Sequence, residues 1–152
     1  MWQLVGFILG CEAVGILSAF ISGTGNSAWY RSLIKPFWQP PSWLFGPAWT
    51  ILYALMGVSA YLIFKAPESK LRTIGLILFA VQLILNFIWS PLFFRYHLLG
   101  IAFAEILLLL AVIIATTVVF FMIDRRAAYL LIPYILWVSF ASTLNGAIWR
   151  LN

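Results

Sequence analysis

The chain has 152 residues, of which 64% are hydrophobic and only 9% charged, and its mean hydropathy is +1.05. A soluble core of this length cannot bury so much apolar side chain, so lipid must act as part of the solvent, and there only closed helices or barrels satisfy their backbones. The net charge of +5 arises from Lys and Arg residues scattered over the ends of apolar runs, which excludes a nucleic-acid face and fits anchoring at a bilayer surface.

Long continuous runs, rather than alternating ones, favour helices over barrel strands. The first covers about residues 2 to 22, near the roughly 20 residues that a helix needs to cross a bilayer. It lacks the basic start and short core of a signal peptide and reads as a retained span. Cys11, the single cysteine, lies inside it as a small buried side chain and allows no intrachain disulfide. Glu12 is its one carboxylate.

The connection that follows, SGTGNSAWYRSLIKPFWQPP, is the only one with room to be more than a turn. With the start of span two it carries Trp29, Trp38, Trp43 and Trp49 together with Pro36, Pro40, Pro41 and Pro47. Tryptophans settle at membrane surfaces, whereas prolines so spaced fix a backbone that cannot simply continue a helix. A stiffened aromatic lid over a bundle is expected.

The second span, about 43 to 64, places Trp49, Tyr53 and Gly57 four residues apart and so on one face. After KAPESKLR comes a third span, about 73 to 94, whose Gln82 and Asn86 share a face with Trp89 near its end. The short RYH connection holds His97, the only histidine. Span four, about 98 to 122, contains Glu105 and two small-residue pairs, Gly100 with Ala104 and Ala111 with Ala115, which would permit close helix packing within the chain or in a homodimer. After IDRR, span five (about 127 to 149) repeats the spacing of four in Trp137, Ala141 and Asn145, flanked by Ser142 and Thr143.

Short connections make neighbouring spans antiparallel, so the expected architecture is one all-α domain over residues 1–152, a bundle of five transmembrane helices with the first loop as lid. Five spans set the termini on opposite sides. Lys65, Lys70, Arg72, Arg125 and Arg126 fall on one side and Arg31, Lys35, Arg95 and Arg150 on the other, a division without positive-inside bias.

Polar side chains at bilayer depth are costly, so those present invite a functional reading. Two readings compete. In one, Gln82, Asn86 and Asn145 are interhelical glue, small residues allow close packing and tryptophans mark the interface. In the other, the indoles stack on a flat aromatic ligand and the amides orient it in a pocket under the loop. Glu12 and Glu105 lack an intramembrane basic partner and are read as hydrogen-bonding to neighbouring helices. His97 has no further ligand at metal spacing, and no Ser/His/Asp set, phosphate loop or redox CxxC occurs. No metal and no conventional hydrolase or nucleotide chemistry is expected.

Three long stretches, WYRSLIKPFWQPPSWLFGPAWTILYALMGVSAYL, QLILNFIWSPLFF and LIPYILWVSFASTLNGAIWRLN, resemble the translocator protein family, also called tryptophan-rich sensory proteins or peripheral-type benzodiazepine receptors. The resemblance runs through nearly the whole chain. It implies a bacterial, multi-pass cell-membrane protein, usually dimeric, that binds porphyrins such as protoporphyrin IX and ligands of the benzodiazepine and isoquinoline carboxamide type. It would place Trp49, Tyr53, Asn86, Trp89, Trp137, Phe140, Ala141 and Leu144 on the cavity wall, with Trp29, Pro40 and Pro41 in the lid. A sterol is not carried over, because Gly146 stands where the sterol motif of relatives has a tyrosine after the Leu-Asn pair.

The function expected is a receptor or sensor for tetrapyrroles that requires no cofactor, the porphyrin being ligand or substrate. The alternatives are light- and oxygen-dependent porphyrin degradation, with Trp49 and Trp137 as the oxidisable residues beside the pigment, a porphyrin or sterol transporter, and a purely structural subunit.

Overall fold

The structure, a computed structural model, describes residues 1–23 and 28–152; the loop residues 24–27 lie outside this description. Among the described residues there is no strand. Helix α1 (Trp2–Ser22) ends at Gly23, whose left-handed backbone (φ 64°) is the conformation that glycine adopts without steric cost. A short helix α2 (Ala28–Ser32) lies within the first loop. A 3₁₀ turn over Ser42–Leu44 leads into α3 (Phe45–Phe64). Next come α4 (Lys70–Ser90), α5 (Leu99–Ile123) and α6 (Arg125–Leu151).

Among the described residues five helices are long and apolar enough to cross a membrane, and the chain is an integral, multi-pass membrane protein. The helices differ from the expected spans at several ends: α3 begins at Phe45 rather than about 43, α4 gives way at Ser90 rather than about 94, α6 runs to Leu151 rather than about 149, and two starts come early. Helix α4 begins at Lys70 rather than about 73, and α6 at Arg125 rather than about 127. In both cases a cap outside the apolar run lets polar residues form the first turn: the Ser69 hydroxyl accepts from the Arg72 N–H at 3.0 Å, and the Asp124 carboxylate from the Arg126 N–H at 2.9 Å.

Helix α1 packs on α3 and α4, α3 on α6, α6 on α5 and α5 on α4, so the ring runs α1, α3, α6, α5, α4, with α3 and α4 also meeting inside it. Contact between α1 and α3 is backbone-close: a Cβ added at Gly57 would sit 2.6 Å from the Ile8 Cα. The core joins Met56, Ala60 and Ile63 of α3 with Ile106, Leu109 and Ile113 of α5 and Leu131, Tyr134 and Val138 of α6. Outward stand Ile77, Val81 and Ile84 of α4 and Leu107, Leu108 and Val118 of α5, all exposed, a surface stable only against lipid. Ala104, Ala111 and Ala115 are exposed too, so of the expected small-residue pairs only Gly100 packs closely within the chain, against Trp149.

Hydrogen bonds seal the helix ends. The Arg72 guanidinium donates to the carbonyls of Ile63 and Phe64 at the end of α3, and that of Arg95 to the Ile21 carbonyl at the end of α1. Past α4 the chain does not stop cleanly. Pro91 has no N–H, and Pro91–Arg95 widen into a π-helical turn in which the Tyr96 N–H reaches back to the Pro91 carbonyl at 3.0 Å. His97 then takes a left-handed backbone (φ 57°), reversing the chain into α5.

Candidate functional site

The aromatic residues expected on α3 and α6 do meet. Trp49 lies one turn from Tyr53, and their rings are stacked with centroids 5.6 Å apart. Across the gap, Trp137 stands edge-on to Trp49 at 6.3 Å and 89°, and Phe45 and Phe140 flank Trp137 at 5.8 and 6.0 Å. Trp49, Trp137 and Phe140 are each half-buried, whereas Ala141 and Leu144, on the next turns of α6, are buried. The wall is thus built of π-faces with small and branched aliphatics continuing it along α6. The Trp137 indole N–H is buried and has no acceptor among the described residues.

Behind this wall runs a chain of polar contacts. The Tyr53 hydroxyl donates to Asn86 Oδ1, Asn86 Nδ2 donates to the Tyr134 hydroxyl at 2.7 Å, and that hydroxyl donates to Gln82 Oε1 at 2.7 Å. Gln82 Nε2 ends the run against Met56 Sδ at 3.9 Å. Gln82 and Asn86 are almost wholly buried, and these amide bonds join α3, α4 and α6. Their observed contacts are interhelical, with Tyr53 as the element of the wall that they position. Gly15 of α1 makes room for the Tyr53 ring, since a Cβ there would collide with its Cε2 edge.

Tyr134 is the residue that the sequence reading missed. It is 1% exposed, bonds both amides and stands edge-on to Trp49 at 6.3 Å. It lies three residues before Trp137 on the same face of span five, a spacing that by itself does not separate a bonded interior tyrosine from an interfacial anchor.

Trp89 and Trp29 belong to a second aromatic group. Trp89 Nε1 donates to Asn145 Oδ1 at 3.0 Å, and Asn145 Nδ2 donates to the Leu99 carbonyl at 3.0 Å, tying α4, α6 and α5 together. The Trp89 ring packs on Phe93 at 5.2 Å, and Phe93 on Trp29 of α2 at 6.0 Å. Trp29 also stacks face to face on His97, with centroids 3.8 Å apart. The first loop is therefore docked through Trp29 onto the π-helical turn. Tyr30 closes the loop by accepting a bond from Gln39 Nε2 at 2.6 Å; burial raises its pKa above the ordinary phenol value, and the Gln39 bond opposes that shift. Pro40 is half-buried and Pro41 exposed at the entry to the 3₁₀ turn, where the Leu44 N–H bonds the Pro41 carbonyl.

Glu105 is partly buried, and both carboxyl oxygens are without a hydrogen-bond partner among the described residues. Among those residues no three His, Cys, Asp or Glu side chains gather as metal ligands would. A groove of about 1130 Å³ opens away from the Trp49–Trp137 wall, between residues 34–38 of the loop and the last turns of α6.

Comparison with known proteins agrees with this architecture. The TspO/MBR family model matches residues 7–150. The chain is 42% identical over 151 residues to a translocator protein of Ovis aries, covering 97% of this chain and 89% of that protein. It is 40% identical over 147 residues to protein CrtK of Rhodobacter capsulatus, covering 96% and 90% of the two. It is also 40% identical over 143 residues to tryptophan-rich protein TspO of Chlorobaculum tepidum, covering 93% and 90%. With five membrane-crossing helices in one ring and a family match that spans nearly its whole length, this chain belongs to the TspO/MBR family.

Proposed function

We propose that the protein is a membrane receptor that binds a planar tetrapyrrole of the protoporphyrin IX type between α3 and α6, in a site that also accepts benzodiazepine and isoquinoline carboxamide-like ligands. Membership of the family supports the receptor role. The observation that carries the ligand class is the wall itself: Trp49, Tyr53, Trp137 and Phe140 present π-faces, and among them the Trp137 indole N–H is a buried donor without an acceptor. A polar group buried unpaired costs about 1–3 kcal/mol. A ligand carrying a carboxylate or carbonyl beside a flat ring system would relieve that cost and stack on the indoles in the same step. Trp49 and Trp137 pack on each other, so such a ligand enters by parting their edge-to-face contact.

Titration of protoporphyrin IX into the detergent-solubilised protein, followed by tryptophan fluorescence, tests the reading. Saturable quenching is expected, and each of Trp49→Phe and Trp137→Phe should weaken it by about three- to tenfold, the range of one aromatic contact. Linear, unsaturable quenching in the wild type would sink the reading.

One observation favours a second outcome after binding. Two oxidisable indoles, those of Trp49 and Trp137, stand together where the pigment would lie. Under light the porphyrin is its own photosensitiser and dioxygen the oxidant, so degradation needs no acid–base pair from the chain. Illumination of the same titration separates the two: bleaching faster than in detergent alone, and slowed in Trp49→Phe, supports degradation, whereas equal rates leave a receptor only.

A further inference from the structure

We infer that the groove between the first loop and the end of α6 is a seat for one anionic phospholipid, distinct from the aromatic site. Its floor is made of small side chains, Gly146 and Ala147 of α6, and its walls are Phe103 of α5, Trp149 of α6 and Phe37 and Trp38 of the loop. Trp149 lies over Gly100, where a Cβ would come within 2.9 Å of the indole, so α5 and α6 hold the wall ring flat against the bundle. The loop side is held by a reciprocal pair of bonds: the Ile34 N–H donates to Asn152 Oδ1 at 3.1 Å, and Asn152 Nδ2 donates to the Ile34 carbonyl at 2.9 Å.

The charge of this end chooses the occupant. Lys35 and Arg150 both line the groove. With Arg31 and Arg95 they form the basic residues of the end where α6 finishes, and all four acidic side chains lie elsewhere: Glu12 and Glu105 within helices, Glu68 and Asp124 at the opposite end. Among the described residues the Lys35 ammonium meets neutral partners, the Leu33 carbonyl at 3.3 Å and the Tyr30 ring at 4.6 Å. The one ion pair among the described residues, Arg126 with Asp124, is on the far side. A largely apolar trough lined by two cations that have no ion-pair partner among the described residues matches an acyl chain joined to a phosphate. A zwitterionic headgroup such as phosphatidylcholine brings a cation of its own beside its phosphate and so is repelled in part, and a sterol with its single hydroxyl leaves both cations unmatched. The bilayer in which the chain resides supplies the ligand.

The test uses the delipidated full chain in neutral detergent with two probes of identical brominated acyl chains, a phosphatidylglycerol and a phosphatidylcholine, since bromine quenches tryptophan only on contact. Trp149 and Trp38 report the groove, and Trp149→Phe should remove a large share of the quenchable signal. Phosphatidylglycerol should reach half-quenching at a mole fraction about thirtyfold lower than phosphatidylcholine, the preference that two interfacial cations supply. In Lys35→Gln/Arg150→Gln that difference should vanish, while Ala147→Leu, which raises the floor, should weaken both lipids together. Equal quenching by the two headgroups in the wild type overturns the inference. So does a preference that survives the double substitution, or displacement of phosphatidylglycerol by cholesterol at equal mole fraction. Porphyrin titration of the double variant should match the wild type, so this inference and the aromatic-site reading fail independently.

Discussion

At the scale of single residues, Tyr134 decides how the interior is held. Its hydroxyl accepts from Asn86 and donates to Gln82, whereas that of Tyr53 makes one bond in the same chain. Tyr134→Phe strands an amide donor and an amide acceptor in the interior and should cost about 2–6 kcal/mol; Tyr53→Phe strands one acceptor and should cost about 1–3 kcal/mol. Thermal unfolding in detergent, ranked against the wild type, checks the order. Gln82 and Asn86 were legible because amides are conspicuous in an apolar run. Tyr134 was not, because a tyrosine in such a run equally suits an interfacial anchor, and only the approach of α4 to α6 gives its hydroxyl two partners. The glue and pocket readings of the amides also diverge only in three dimensions, where tyrosine hydroxyls occupy them. Trp29 was foreseen as part of a lid, but its seat on Phe93 and His97 follows from a π-helical turn that no spacing rule announces.

At the scale of elements, helix ends and close approaches give sharper expectations. Asp124 alone separates α5 from α6 and caps the latter. The hydrogen bond from the Arg126 guanidinium, chiefly, holds its carboxyl below the ordinary carboxylate range. Its contribution to stability is therefore present above the unfolded-state pKa and is lost as pH falls through the lower folded value. Asp124→Asn should flatten the acid side of a melting-temperature profile taken from pH 6 downward, and Asp124→Ala should cost about 1 kcal/mol at pH 7 through the lost cap. The glycines divide in the same spirit. Gly57→Val drives a side chain into the backbone of α1 and should separate α1 from α3, lowering the melting temperature steeply, whereas Gly46→Ala meets open space and should be neutral or raise stability by up to about 1 kcal/mol. Span positions were readable because a bilayer enforces length and hydrophobicity together. The starts of α4 and α6 were misjudged by a turn or less because helices continue into water wherever a cap allows.

At the scale of the whole molecule, the ring order α1, α3, α6, α5, α4 puts the first loop and the turn after α4 at one end and the other two connections at the opposite end. In sealed vesicles, cysteines introduced at Tyr96 and at Glu68 should react with a membrane-impermeant maleimide from opposite sides. Native Cys11 is buried and should leave little background. Labelling of both from the same side would break the five-span topology. The order of helices around the ring was not legible, since short connections specify antiparallel neighbours but not which distant helix closes the circle.

The polar run beneath the aromatic wall leaves α3 at Tyr53, crosses to α4 and α6, and comes back through Gln82 to Met56, again on α3 and one turn deeper. Each polar member donates a hydrogen bond to the next in one sense of travel, and the Met56 sulfur can only accept, so the run has a fixed direction. A guest that tilts the Tyr53 ring would therefore be felt at Tyr134 on another helix without touching it. Any movement of that ring is thereby coupled to α4 and α6 as well as to its own helix.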